Sequence, residues 1–89
     1  MNTPTGGTRL ELRLTTPGQV ADILRQRRKV KQLSQAEIAS KLGVSQARIS
    51  SIESKPASLT VERLIALANL LDLEIVVRDR PRKKPVAAW

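Results

Sequence analysis

Apolar residues recur at helical spacing through most of the chain, and alternating patterns flank this region. The spacing predicts a helix beginning at Pro17, two shorter helices within residues 34–53, and a further helix following Thr60. Two other segments, 9–14 and 73–78, alternate apolar residues with charged or polar ones in the manner of strands. The pattern therefore predicts a mainly all-α fold of four to five helices with a short C-terminal β-strand.

Each predicted helix begins at a residue whose side chain can cap it. Thr16 and Ser34 are each followed three residues later by Gln or Glu, the spacing of a capping box. Ser45 and Thr60 are N-cap residues of the same chemical type. Gly43 can adopt the left-handed conformation that ends the second helix. The capping residues and Gly43 predict a helix, a tight turn and a second helix between residues 34 and 53.

The buried faces follow from the same spacing. Each helix carries apolar residues three and four positions apart, so that they fall on one side. The predicted core consists of Val20, Ile23, Leu24, Val30, Ile38, Ala39, Leu42, Ile49, Ile52, Leu64, Ile65, Leu67, Ala68, Leu70 and Leu71.

The two strand-like segments raise a question of pairing, because a lone strand leaves its backbone groups unsatisfied. Either residues 9–14 pair with 73–78 within one chain, or strands pair across a two-fold axis. We expect a homodimer with 73–78 at the centre of an intersubunit sheet and 9–14 at its edge. The predicted dimerisation residues are Leu73, Ile75, Val76 and Val77.

Composition narrows the class of function. The chain has 16 Lys and Arg against 8 Asp and Glu, a net charge of +8, which points to nucleic acid or another acidic surface as a partner. It has no Cys and no His, so disulfides, thiol catalysis and the common zinc sites are excluded. No group of residues has catalytic geometry, so we do not expect an enzyme. We also expect that the chain binds no metal and no cofactor. Without a signal peptide or a membrane-length apolar run, we expect a cytoplasmic protein that is nucleoid-associated when bound to DNA.

The outward positions of the helix after Ser45 carry candidate chemistry for DNA. They are small, polar or cationic, and none is acidic. A Gln side chain such as that of Gln46 can pair with adenine through two hydrogen bonds, and the methyl group of Ala47 can contact that of thymine. The outward set is Ser45, Gln46, Ala47, Arg48, Ser50 and Ser51.

Residues 17–71 resemble the Xre or phage-repressor type of helix-turn-helix domain. The residues that carry this resemblance, at the family's spacing, are Gln35, Ala39, Gly43, Ile49, Ile52 and Glu53. Within that family the chain looks most like the HipB-type antitoxins. That closer likeness rests on Thr16-Pro17, Gln46-Ala47, the run Leu71-Asp72-Leu73-Glu74-Ile75-Val76-Val77 and Trp89.

The resemblance implies an organisation and a function. The organisation is an N-terminal arm (1–15), a DNA-binding domain (16–72), a dimerisation strand (73–78) and a flexible basic tail (79–89). The implied function is a DNA-binding antitoxin that represses its own toxin–antitoxin operon and neutralises a HipA-type serine/threonine kinase by direct binding. The alternative is a free-standing phage-type or host repressor with no toxin partner.

Site residues follow from the resemblance together with the charge pattern. The positions that match base-edge contacts of the family are Ser45, Gln46, Ala47 and Ser51, joined here by Arg48, which could reach a guanine or a phosphate. The phosphate candidates are Gln35, Arg27, Lys29, Lys31, Ser50 and Lys55. Family members place Lys where this chain has Ser45, so their operator sequence cannot be carried over.

Two further roles are expected. Arg28 and Glu53 match a family ion pair that holds the first helix to the third. The basic tail could bind phosphate, bind the toxin or only solubilise the chain, and its Trp89 is the predicted toxin contact because a buried indole contributes a large apolar area.

Overall fold

Four α-helices in the order expected from the apolar spacing make up the fold of a computed structural model that describes residues 11–81. The first helix, α1, is Pro17–Val30, and a turn leads to α2, Gln35–Leu42. Helix α3 is Gln46–Ser54, a short 3₁₀ helix occupies Pro56–Ser58, and α4 is Val61–Leu70. This architecture confirms the mainly helical fold class. None of these described helices is both long and apolar enough to cross a bilayer.

The capping residues act as the sequence predicts. The side chains of Thr16 and Ser34 each close a capping box, and those of Ser45 and Thr60 each accept a backbone N–H three residues later. Gly43 has φ 75°, a left-handed value that few residues other than glycine adopt readily. The start of each of the four α-helices is therefore fixed by a local hydrogen bond from its cap, and the turn after α2 by the conformation of Gly43.

The core lies where the four helices converge. Ile38 of α2, Ile49 and Ile52 of α3, and Leu71 just after α4 are each exposed by 2% or less. Fully burying side chains of this size stabilises a fold by about 1.5–3 kcal/mol each. The remaining buried members of this cluster are Leu24, Ala39 and Leu67.

Two of the predicted core residues are exposed, and for these the prediction was wrong. Val30 is 69% exposed because it is the last residue of α1, where the chain turns away from the core. Ile65 is 47% exposed and lies one helical turn from Val61 on α4, which is 72% exposed. The apolar face of α4 is wider than the part of it that the other helices cover, so its edge is exposed.

The two strand-like segments lie close together but form no regular strand within residues 11–81. The guanidinium of Arg78 donates to the carboxylate of Glu11 over 2.8 Å, so the segments meet within one chain. Strands are stabilised by pairing, and two short segments alone make a marginal ribbon. Leu73 packs against the core, whereas Ile75, Val76 and Val77 are exposed. The sheet between two subunits stays a prediction.

Candidate nucleic-acid interface

The two helices α2 and α3 are held against each other because both bury side chains in the same core. Ile38 and Ala39 of α2 and Ile49 and Ile52 of α3 are all buried. At the turn, the Val44 N–H donates to the Ala39 carbonyl over 3.0 Å. Space for a side chain exists at Gly43, where an added Cβ would meet nothing within 4 Å, so its conformation rather than crowding requires glycine.

The N-terminal half of α3 presents the predicted base-reading face. Ser45, Gln46, Ala47 and Ser50 are exposed, whereas Arg48 and Ser51 are half-buried. The Ser45 hydroxyl accepts the Arg48 N–H over 3.1 Å and thereby caps the helix. The N-terminal end of a helix carries positive partial charge, which suits a negatively charged ligand. Ser45, Gln46 and Ala47 therefore lie together and exposed at the N-terminal end of α3, and no acidic residue precedes Glu53 in that helix.

The acidic side chain of α3 is directed away from that face and into a polar cluster. Arg28 contacts Glu53 through two hydrogen bonds, Nε to Oε2 over 2.7 Å and Nη2 to Oε1 over 3.1 Å. Its third nitrogen, Nη1, donates to the Leu33 carbonyl over 2.9 Å. Gln35 Nε2 donates to Glu53 Oε1 over 3.0 Å, and Arg25 Nη2 donates to the Glu53 carbonyl over 3.1 Å. Glu53 thus connects α3 to both α1 and α2.

The ionised state of this cluster is the favoured one. Burial raises the pKa of Glu53, but hydrogen bonds from Arg28 and Gln35 together with the charges of Arg28 and Arg25 outweigh it. The net result is a pKa of Glu53 below its ordinary value. The hydrogen bond to Glu53 raises the pKa of Arg28 in turn. A charge pair therefore orients α3 at neutral pH.

The predicted phosphate contacts have different surroundings. Gln35 already donates one amide hydrogen to Glu53, and its second hydrogen stays available to a phosphate. Lys29, Ser50 and Lys55 are exposed. The sequence did not indicate that Gln35 also belongs to the cluster around Glu53.

Arg27 and Lys31 have structural partners that the sequence analysis missed. Arg27 Nε donates to the carbonyl of Leu71 over 3.1 Å, and Lys31 pairs with the carboxylate of Asp72. The Lys31 hydrogen bond and charge lower the pKa of Asp72. The contacts of Arg27 and Lys31 hold the end of α1 against the residues that follow α4. Their partners lie more than forty positions away along the chain, so no local signal could have found them.

The remaining predicted features lie outside this face. Trp89 falls beyond the described residues. Among residues 11–81, no group of His, Cys, Asp and Glu side chains is arranged to hold a metal ion.

Comparison with known proteins identifies the family. The sequence matches the helix-turn-helix family over residues 24–77, more than half of the chain. Antitoxin HipB of Escherichia coli O6:H1 is 28% identical over 76 residues, which cover 85% of this chain and 81% of that protein.

Solved structures give the same result. A HipA–HipB–O2–O3 complex contains a chain with a TM-score of 0.73 and 27% identity, and the match covers 80% of this chain and 100% of that one. A HipB–O2 20mer complex is similar at a TM-score of 0.73 and 28% identity, over 81% of this chain and 100% of that one. A putative Xre-family transcriptional regulator has a TM-score of 0.57 and 38% identity, over 78% of this chain and 81% of that one. This chain is therefore a member of the helix-turn-helix family, and it is similar in sequence and fold to HipB.

Proposed function

We propose that this chain is a DNA-binding antitoxin that represses its own operon and neutralises a HipA-type kinase toxin. The observation that carries the DNA-binding part is the exposed end of α3, where Ser45, Gln46 and Ala47 lie together with no acidic side chain. The ion pair between Arg28 and Glu53 supports it, because it neutralises the acidic side chain of α3. The net charge of +8 supplies the general attraction to a polyanion.

In the proposed complex, the N-terminal half of α3 enters the major groove. Gln46 pairs with an adenine, and Ala47 contacts a thymine methyl group. Ser45 and Ser51 contact base edges beside them. Arg48 joins this set through a guanine or an adjacent phosphate.

The flanking residues hold the protein on the DNA backbone in this proposal. Phosphate contacts carry little sequence information but fix the position and orientation of the reading helix. Lys29, Ser50 and Lys55 are exposed and suited to this role. Gln35 adds the second hydrogen of its amide. Arg27 and Lys31 are the weaker candidates, because Leu71 and Asp72 already engage them.

Dimerisation would double these contacts. In repressors of this geometry, two recognition helices enter successive major grooves about 34 Å apart on a pseudo-palindromic site. We propose that residues 73–78 of two subunits pair to set this separation. Ile75, Val76 and Val77 support such a contact, because their apolar side chains are all exposed. Adjacent exposed apolar residues often mark a protein–protein interface.

The proposed toxin partner comes from the relatives. HipB of Escherichia coli is an antitoxin, and a HipB chain similar to this one is part of a complex with HipA. We propose a HipA-type kinase as the partner of this chain, with Trp89 as an anchoring contact. An indole buried in a pocket is the kind of side chain that dominates protein–protein affinity.

Two experiments on the full-length chain test this function. DNA from upstream of the chain's own gene should bind tightly at physiological salt, and a shuffled duplex of equal composition should bind at least about a thousandfold more weakly. A kinase encoded next to the gene should co-purify with the chain and lose activity. Specific DNA binding without kinase binding would indicate a free-standing repressor. Equal binding to both duplexes would overturn the DNA-reading role.

A further inference from the structure

An apolar groove is lined by none of the residues that the DNA-binding proposal uses. It lies between the start of α1 and the start of α4, beside the 3₁₀ helix, and has a volume of about 320 Å³. Leu14, Pro17 and Val20 form one wall, and Leu59, Val61 and Leu64 belong to the other. None of the residues that line it is charged. Such a surface fits an apolar segment rather than nucleic acid.

We propose that this groove binds the chain's own segment 85–89, with the indole of Trp89 seated between the two walls. The sequence of that segment, Pro-Val-Ala-Ala-Trp, has no charged side chain and includes the chain's only aromatic residue. Residues 80–84, which directly precede it, contain four cations. An uncharged groove would accept the apolar segment and leave the cations in water.

The position at which the chain leaves the described fold supports this occupant. The side chain of Arg78 reaches Glu11, and Leu14 of the groove lies three residues further along from Glu11. A fully extended chain advances about 3.3 Å per residue, so Glu11 and Leu14 are at most about 10 Å apart, whereas the eleven residues after Arg78, up to and including Trp89, can reach up to about 36 Å. The segment is therefore long enough to fold back into the groove of the same chain.

A polar partner for the indole is also present. The hydroxyl of Thr15, which lines the groove, donates to Gln19 Oε1 over 3.0 Å. Its oxygen lone pairs can therefore accept the indole N–H, the one hydrogen bond that a buried tryptophan requires.

Tethering makes even a weak contact effective. A short flexible linker gives an effective concentration in the millimolar range, so a contact with a millimolar dissociation constant fills the groove about half of the time. While Trp89 occupies the groove, its indole cannot contact another protein. If the antitoxin function proposed above holds, a toxin must therefore displace Trp89 from the groove.

The fluorescence of the intact chain tests the proposal without any partner. The chain has one Trp and neither Tyr nor Phe, so all of its aromatic emission comes from Trp89. We expect blue-shifted emission and a quenching constant for acrylamide of about half that of a peptide spanning residues 79–89, in line with a half-filled groove. Because the contact lies within one chain, neither the emission maximum nor the quenching constant should change with protein concentration.

Two matched variants locate the contact. Val61 in the groove is 72% exposed and Val30 outside it is 69% exposed, so neither Val61→Gln nor Val30→Gln disturbs the core. Val61→Gln should raise the quenching constant about twofold, to the peptide value, while Val30→Gln should leave it unchanged. Leu14→Gln, which lies outside the helices, should repeat the effect of Val61→Gln.

Three results would overturn the proposal. Wild-type emission equal to that of the peptide would show that Trp89 does not enter the groove. Protection that survives both Val61→Gln and Leu14→Gln would place the indole elsewhere. Protection that rises with concentration would show that the groove belongs to an interface with a second copy. Because none of these readings involves DNA or a toxin, their failure is distinct from failure of the proposed function.

Discussion

Arg28 on α1 and Glu53 on α3 form an ion pair through two hydrogen bonds of 2.7 and 3.1 Å, and their side chains are only 13% and 10% exposed. The pair lies at the far end of α3 from Gln46. It fixes how α3 is held against α1, and thereby which face of α3 is turned outward.

Breaking this pair at one partner should destabilise the fold strongly. Arg28→Met or Glu53→Gln alone would leave a mostly buried charge without its partner, at a cost of about 3 kcal/mol. A double-mutant cycle by urea unfolding should give a coupling energy of about 1–3 kcal/mol.

A second ion pair provides the control for that cycle. Lys31 and Asp72 are more exposed, at 31% and 67%, and a pair of this kind contributes about 0–1 kcal/mol. A coupling energy for Arg28 and Glu53 no larger than that for Lys31 and Asp72 would contradict the structural role given to the first pair.

Acid should weaken the fold in a way that depends on Glu53. Because its pKa lies below the ordinary value of about 4.3, the folded state favours the ionised carboxylate. This stability is fully present above the ordinary pKa and is lost as pH falls through the lowered one. Glu53→Gln should therefore show a smaller loss of unfolding free energy than wild type between neutral pH and pH ~3.

Other carboxylates set the background for this measurement. Hydrogen bonds from Ser34 lower the pKa of Glu37, and Lys31 lowers that of Asp72. Glu53→Gln should thus reduce the acid dependence without abolishing it. Parallel curves for Glu53→Gln and wild type would show that Glu53 is not preferentially ionised in the fold.

Local and distant interactions differ in how well the sequence predicted them. The caps Thr16, Ser34, Ser45 and Thr60 were predicted correctly because each acts on a backbone N–H three residues away. The role of Gly43 in ending α2 was predicted for a similarly local reason, since it depends on the left-handed φ of that residue alone.

Properties set by packing were harder to predict. Ile65 fits the apolar spacing of α4, but exposure depends on how much of that face the other helices cover. The contacts of Arg27 with Leu71 and of Lys31 with Asp72 depend on where α4 ends in space. In the site, Gln46 and Ala47 were correctly placed on an exposed face, whereas the bond from Gln35 to Glu53 was not foreseen.

The proposed intersubunit strand predicts a sharp effect of proline. Val76→Pro removes a backbone N–H that the ladder needs and should weaken dimerisation at least tenfold in sedimentation equilibrium, about 1.4 kcal/mol. Val76→Ala is the control, because it keeps the backbone donor and changes only an exposed side chain. An unchanged dimer in Val76→Pro would mean that residues 73–78 do not pair across the interface.

The proposed toxin contact predicts a selective effect of removing Trp89. Deletion of Trp89 should leave dimerisation and DNA binding unchanged but loosen the complex with the neighbouring kinase by at least about 2 kcal/mol, the scale of an interface hot spot. Val86→Ala alters the same segment without removing the indole and should have a smaller effect. Full neutralisation of the kinase by the truncated chain would move the toxin contact to the helical domain.

The base-reading role of α3 is the central claim, and Gln46 tests it most directly. Gln46→Ala and the matched variant Gln26→Ala, an exposed Gln on α1, should be titrated by fluorescence anisotropy against the operator and a shuffled duplex at one fixed salt concentration. We predict that Gln46→Ala weakens operator binding by about 1–3 kcal/mol, leaves binding to the shuffled duplex unchanged, and that Gln26→Ala alters neither. An equal loss on both duplexes, or no loss on either, would contradict the assignment of α3 as the helix that reads DNA sequence.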